Sequence, residues 1–247
     1  MFQQDPLSLI SVLFIAVLPS LVWLFFYLKE DRHPEPRYWL FIIFAMGVAL
    51  APLVIFLEMI LSGFGRQFSN STAFDRSLLI FLIAPLVEEI AKYGSVHLTL
   101  NRNPVLDEPV DGMIYLIVAA LGFAAIENVF AIFSNIPVGD PGSLTAAFNY
   151  ISMRFISAVA LHGLASGIMG YFFAVYYFIR RDAWLIFAGL AAATALHGAF
   201  NYLIVRAETG ALGAPVLTGL LLGGAAAIVI FLFNRLKHYK VYQEVKI

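Results

Sequence analysis

Seven apolar runs, each at least twenty residues long, divide this chain: 7–28, 38–61, 78–100, 111–133, 154–179, 184–205 and 214–233. Each is long enough as a helix to cross about 30 Å of hydrocarbon. Inside lipid every backbone N–H and C=O needs a protein partner, which leaves only helices or a closed barrel. No period-two alternation supports strands. The breaks carry turn and charge signals, among them "KEDRHPEPR", "NRNPVLDEP" and "SNIPVGDPGS". The expected architecture is therefore an all-α polytopic membrane protein with about seven transmembrane helices, its polar chamber in the outer half of the bundle. With 61% of residues hydrophobic and 13% charged, no stretch is left for a soluble domain, so residues 1–247 read as one integral-membrane domain. The first run follows "MFQQDP", which has no basic residue, and is too long for a signal-peptide core. It reads as a retained helix.

Loop charges suggest an orientation. With the N-terminus outside, the inner segments hold ten basic residues: Lys29, Arg32, Arg37, Arg102, Arg180, Arg181, Arg235, Lys237, Lys240 and Lys246. The outer segments hold three, Arg66, Arg76 and Arg206. The positive-inside rule then gives N-out, C-in. A net charge of -1 offers nothing to nucleic acid, and the absence of cysteine excludes disulfides, thiolate metal sites and a cysteine nucleophile.

Against this apolar background the intramembrane polar residues stand out. The third run contains "VEEIAK", with Glu88, Glu89 and Lys92. The fourth contains Glu127 and Asn128, the fifth His162 and Ser166, the sixth His197 and Asn201. A charge at the bilayer centre costs about 2.5–3.5 kcal/mol even on the lenient insertion scale, so such groups face a bundle interior and find partners there. Glu88 and Lys92, His162 and Ser166, and His197 and Asn201 are each four apart and share a helical face. At ~1.5 Å per residue Glu88 lies about 15 Å below the outer surface, and Glu127, His162 and His197 about 10–13 Å. Four helices thus bring ionisable groups to similar heights, as a single site opening outward requires. A plain ion pair with Lys92 would need one glutamate, not two. The glycines beside these groups (Gly122, Gly163, Gly167, Gly170 and Gly198) suit close helix packing. Asp111, after Pro109, reads as an N-cap, Glu58 as a group near the outer end of its span, His97 as structural, and Arg154 as an interface anchor.

Carboxylate, imidazole and trapped water together suit hydrolysis. A glutamate in low dielectric is a stronger base, and a neighbouring ammonium keeps it ionised. It can deprotonate water for attack on a carbonyl, with a histidine and an asparagine amide stabilising the oxyanion. No H-E-x-x-H and no mid-span aspartate pair is present. A Ser166–His197 dyad would leave three glutamates without a task. A proton-coupled transporter would use the same buried Glu and His residues, but the chain shows no repeat symmetry. A partner-binding pseudoenzyme would have no need of the intact set.

Four motifs in order, "EEIAK" (Glu88 to Lys92), "GFAAIEN" (Gly122 to Asn128), "LHGLAS" (Leu161 to Ser166) and "LHGAFN" (Leu196 to Asn201), resemble those of the PrsW family. Two loop elements, "EDRHPEPRY" and "DEPVDGMIY", match as well, so that the core motifs fall within 30–202. That family is distantly related to the CAAX-prenyl-protease and bacteriocin-processing enzymes. The resemblance implies a glutamic-type intramembrane protease that cuts membrane-anchored proteins near the extracytoplasmic side, as in the first cleavage of an anti-sigma factor. It implies a multi-pass protein of a prokaryotic plasma membrane, with the bilayer and a membrane-anchored substrate as partners and no nucleic acid. By motif position Glu88, Glu89, Glu127, His162 and His197 would be catalytic, and Lys92, Phe123, Asn128 and Asn201 supporting. Glu88 or Glu89 would be the base, and His197 and Asn201 the oxyanion pair. No cofactor is required by this reading. A zinc-like divalent metal held by Glu127, His162 and His197, with Glu88 or Glu89, is the alternative.

Overall fold

The computed structural model describes residues 6–31, 33–68, 77–137, 139–140 and 142–239, and every regular element among them is helical. Helix α1 (Pro6–Tyr27) ends in a 3-10 turn (Leu28–Glu30), and α2 (Arg37–Phe68) follows. A π-helical segment (Leu79–Ile83) runs without a break into α3 (Ala84–Leu100). Then come α4 (Pro109–Asn135), α5 (Ser143–Ile156), and α6 (Ala158–Ala174) with its π-helical extension (Val175–Arg180). Helices α7 (Trp184–Glu208) and α8 (Ala214–Leu236) complete the bundle.

Among the described residues, six helical stretches are long and apolar enough to cross a membrane: Leu9–Glu30, Arg37–Leu61, Pro109–Asn135, Ser143–Arg180, Trp184–Glu208 and Ala214–Leu236. The seventh expected span is helical too, but Glu88, Glu89 and Lys92 set its composition apart from the six. Helix α4 is the axis of the molecule. Every residue from Pro109 to Ala125 is buried, around its whole circumference, and it packs most extensively on α6, α2 and α1. The outer helices turn large apolar side chains outward, including Phe14, Phe25, Phe41, Phe56, Phe187 and Phe231. Such a surface suits lipid and would aggregate in water.

Close crossings bring the polar groups together. A Cβ on Gly122 would lie 2.1 Å from the carbonyl oxygen of Phe44, and one on Gly47 2.0 Å from that of Ala119. Helices α2 and α4 therefore touch backbone to backbone. Gly170 of α6 meets Gly112 of α4 in the same way, with a Cβ falling 2.6 Å from the Gly112 oxygen.

Two sequence expectations change. Residues 143–153, which no expected span included, form most of α5. Its buried residues Ser143, Ala147 and Ile151 recur every four positions, and Ala147 and Ile151 pack on Val12, Ala16, Ile132 and Ile136. The chain breaks at Ser157, and the indole of Trp23 donates to the carbonyl of Phe155 at 2.8 Å, satisfying a group the break leaves free. Asp111 is not the N-cap of α4. Glu108 holds that place, and Asp111 sits at N3 of a capping box, its carboxylate accepting the Glu108 N–H at 2.7 Å and the Asp107 N–H at 2.9 Å.

One end of the bundle is tied by polar contacts. Lys237 meets Glu30 at 2.6 Å, His33 meets Glu108 at 2.8 Å, and the Tyr177 hydroxyl accepts the Arg102 N–H at 3.2 Å. Tyr115 donates to Glu35, whose backbone N–H is in turn held by Asp31. Lys29, Arg37, Arg180, Arg181 and Arg235 belong to segments that reach this same end. Arg32, Arg76, Lys240 and Lys246 lie outside the described residues, as does the side chain of Arg66.

The crossing at Gly122 is testable. Gly122→Ala drives a methyl into backbone and is expected to cost about 1–3 kcal/mol or more, read as a lower melting temperature in detergent. The latch at His33 titrates. Its hydrogen bond and charge interaction with Glu108, aided by Asp31 and Asp107, raise the imidazole above its ordinary 6.5. A raised folded value gives stability that is complete below pH 6.5 and is lost as pH climbs through that raised value. Melting temperature should therefore fall as pH rises from 6.5 through that raised value, and the part of the slope due to the latch should vanish in His33→Gln.

Candidate active site

Helices α3, α4, α6 and α7 deliver the polar residues to one point, as their depths required. At its centre is the Lys92 ammonium, 3.0 Å from Glu88 Oε2, 2.8 Å from Glu89 Oε1 and 2.9 Å from His162 Nδ1. Phe123 closes the fourth side, its ring centroid 4.7 Å from the nitrogen. His197 Nδ1 lies 3.2 Å from Glu89 Oε1 and 3.9 Å from Glu88 Oε2. The two imidazoles meet edge to face at 5.2 Å. All of these residues are buried, and none of Glu89 is exposed.

The two glutamates are not equivalent. Glu89 accepts from Lys92, from the Ser166 hydroxyl at 3.1 Å, and from His197. Glu88 instead lines a cavity of about 390 Å³ together with Glu127, Arg154, His162, His197 and Asn201. Its remaining wall includes Phe130, Ala131, Val205 and Glu208, which places the opening toward the end away from the Lys237–Glu30 latch.

A polar chain leads outward. His162 Nε2 meets Glu127 Oε2 at 2.6 Å. Arg154 approaches the same oxygen at 3.8 Å and donates from Nε to Asn128 Oδ1 at 2.6 Å. Asn128 then donates to the Ala16 carbonyl at 3.0 Å. Arg154, read from sequence as an interface anchor, thus belongs to the site and lines its cavity. Its signal was spacing, since Arg154 stands eight residues, about two helical turns, before His162. Asn128 ties α1, α4 and α5 together. Asn201 lines the cavity while its amide donates to the Ile80 carbonyl at 3.1 Å, within the π-helical turn before the glutamates. Gly198 presses on the same turn, since a Cβ there would fall 2.0 Å from the Phe81 oxygen. Such π-turns recur at functional sites, where the altered register frees a carbonyl. His97 stacks on Tyr93 at 5.3 Å, away from this cluster.

The family model described as PrsW family intramembrane metalloprotease matches residues 35–236. The chain belongs to the PrsW family. It is a membrane-embedded peptidase of that family, and the match sets it among proteases rather than carriers. It is similar to proteins named Protease PrsW. The one from Geobacillus kaustophilus (strain HTA426) is 29% identical over 200 residues, 80% of this chain and 81% of that protein. That of Clostridioides difficile (strain 630) is 28% identical over 203 residues, covering 79% and 80%. That of Bacillus subtilis (strain 168) is 23% identical over 198 residues, covering 78% and 83%. No solved structure gives a significant match.

The PrsW description names a metal, and the donor set can be tested against one. Glu88, Glu89, His162 and His197 each offer a ligand atom, all within 4.8 Å of one another. Two carboxylate oxygens and two imidazole nitrogens suit zinc. The set fits a divalent ion, with one difference from the sequence expectation. Glu127 is outside this group of four and holds the far nitrogen of His162, the usual place of an orienting carboxylate.

Asn128→Ala removes the side-chain hydrogen bonds that its amide makes to the Ala16 carbonyl and to Arg154 Nε. It is expected to lower stability by about 1–3 kcal/mol, read by thermal melting in detergent.

Proposed function

We propose that this PrsW-family protein cuts a peptide bond of membrane-anchored proteins near the extracytoplasmic face, with Glu88 as the base that activates water. The observation that carries the assignment is the division of labour between the two glutamates. Glu88 borders the cavity, whereas Glu89 is closed off and fully engaged with Lys92, Ser166 and His197. A base has to reach its water, and Glu88 is the one placed to do so. Glu89 instead holds Lys92 and His197 in position.

In this reading Glu88 takes a proton from a cavity water, and the hydroxide adds to the substrate carbonyl. With Nδ1 committed to Glu89, His197 has Nε2 left for the cavity it lines. In its protonated form it hydrogen-bonds the tetrahedral intermediate and gives its Nε2 proton to the leaving amine, and the proton that Glu88 took from water returns to the imidazole as the products leave. Asn201 spends one amide proton on Ile80 and retains the second for the oxyanion. When a divalent ion is bound by Glu88, Glu89, His162 and His197, it supplies Lewis-acid polarisation of the carbonyl and a more acidic water.

The basic residues gathered at the latched end support placing that end in the cytoplasm by the positive-inside rule. The N-terminus and the cavity mouth are then extracytoplasmic. Bacterial relatives favour a plasma-membrane setting, and a regulator of the anti-sigma-factor kind, cut first on its outer side, is the substrate class proposed. The test is mapping of membrane-protein termini in cells carrying wild type, Glu88→Gln or Glu89→Gln. New extracytoplasmic termini should appear with wild type only, and product formation should drop by about 10²–10⁴ in Glu88→Gln. Identical termini in all three, with the protein folded in the membrane, would refute the reading.

A further inference from the structure

The Lys92 ammonium sits among the atoms that suit a metal, and it is fully bonded there. An ammonium has three N–H donors. Here they meet three acceptors, Glu88 Oε2, Glu89 Oε1 and His162 Nδ1, at 3.0, 2.8 and 2.9 Å. Those residues, with His197, are the four whose ligand atoms lie within 4.8 Å of one another. Donors on a tetrahedral zinc ion, about 2.0–2.2 Å from the metal, are about 3.3–3.6 Å apart, so the four side chains have to draw in around an ion that takes the ammonium's place.

Glu127 decides what His162 offers. Its carboxylate oxygen lies 2.6 Å from Nε2 and can only accept, so the ring proton is on Nε2 and Nδ1 carries a lone pair. That is the form a metal ligand needs. Nδ1 has a single lone pair, however, and in this structure it accepts a hydrogen bond from the Lys92 ammonium with it. The carboxylates can divide their oxygens between two cations, whereas His162 Nδ1 cannot.

We propose that Lys92 is a built-in counter-cation occupying the metal seat, and that lysine and a divalent ion exchange on Glu88, Glu89 and His162. The ammonium keeps the paired carboxylates folded inside the bilayer when no metal is bound, and a metal has to displace it. Lys92 therefore weakens metal affinity. The metal in turn takes over the charge compensation that lysine provides. The proposal draws its importance from the protease reading of this site but not its test.

The test is zinc binding to protein purified in detergent, measured by equilibrium dialysis with zinc ion as the probe, alongside melting temperature. Lys92→Met should bind one zinc per chain at least about tenfold more tightly than wild type, because a cation no longer competes. Zinc should raise its melting temperature more than that of wild type. The gain should disappear in Lys92→Met combined with His162→Ala, which separates the seat from adventitious surface sites. Lys92→Gln, neutral and still a donor, should fall between. Equal zinc affinity in wild type and both Lys92 variants, or weaker binding in the variants, overturns the proposal. So does failure of both variants to fold with zinc present, since zinc is required to replace the ammonium. Equal zinc binding alongside intact proteolysis sinks the exchange alone. A clear zinc difference without any new termini in cells sinks the protease reading alone.

Discussion

The Lys92 ammonium, bonded at once to Glu88, Glu89 and His162, is the interaction on which the rest of the bundle depends. Two carboxylates in the middle of a membrane helix are tolerated only if charge and hydrogen bonds are supplied from within the protein. One lysine a turn away on α3 supplies the charge. The remaining bonds come from elsewhere, from Ser166 on α6 and His197 on α7 to Glu89, while the Phe123 ring on α4 faces the ammonium. Helices that share no apolar motif are thereby held to one arrangement. Where lipid is as apolar as the side chains, packing and hydrogen bonds of this kind are what fix helix against helix.

Close backbone approach makes those bonds reachable. Gly47 and Gly122 let α2 and α4 touch, Gly112 and Gly170 do the same for α4 and α6, and Gly198 seats α7 on the π-helical turn before the glutamates. That turn gives its Ile80 carbonyl to Asn201 and so ties the approach of α7 to the backbone that carries Glu88. The cavity exists because the polar groups occupy the inner faces while large apolar residues turn outward. A hydrolase inside a membrane needs such a partition, since water has to be admitted to a carboxylate without being admitted to the lipid face.

The polar chain from His162 through Glu127 and Arg154 to Asn128 and Ala16 links the centre to α5 and α1. Glu127 sets the tautomer of His162, and Arg154 steadies Glu127 from the cavity wall. This gives α5 a role beyond that of a connector. It presents an arginine to the cavity, and the indole of Trp23 holds the carbonyl of Phe155 beside the break that follows.

The sequence by itself determined the helical class, the run of membrane-crossing segments, and the polar residues that converge: Glu88, Glu89, Lys92, Glu127, His162 and His197. It did so because hydrocarbon forbids unpaired backbone and makes each buried charge conspicuous, which leaves few places for such residues to go. Only the tertiary structure decided which glutamate meets the cavity, since Glu88 and Glu89 are neighbours in sequence and differ only in what surrounds them. It alone showed that Arg154 joins the site, that α5 is a separate helix, and that Glu127 stands behind His162 rather than among the four close donors. Each of these depends on a helix break or a crossing distance. Apolar periodicity reports which face is buried, but not where a helix bends or how near its neighbour lies.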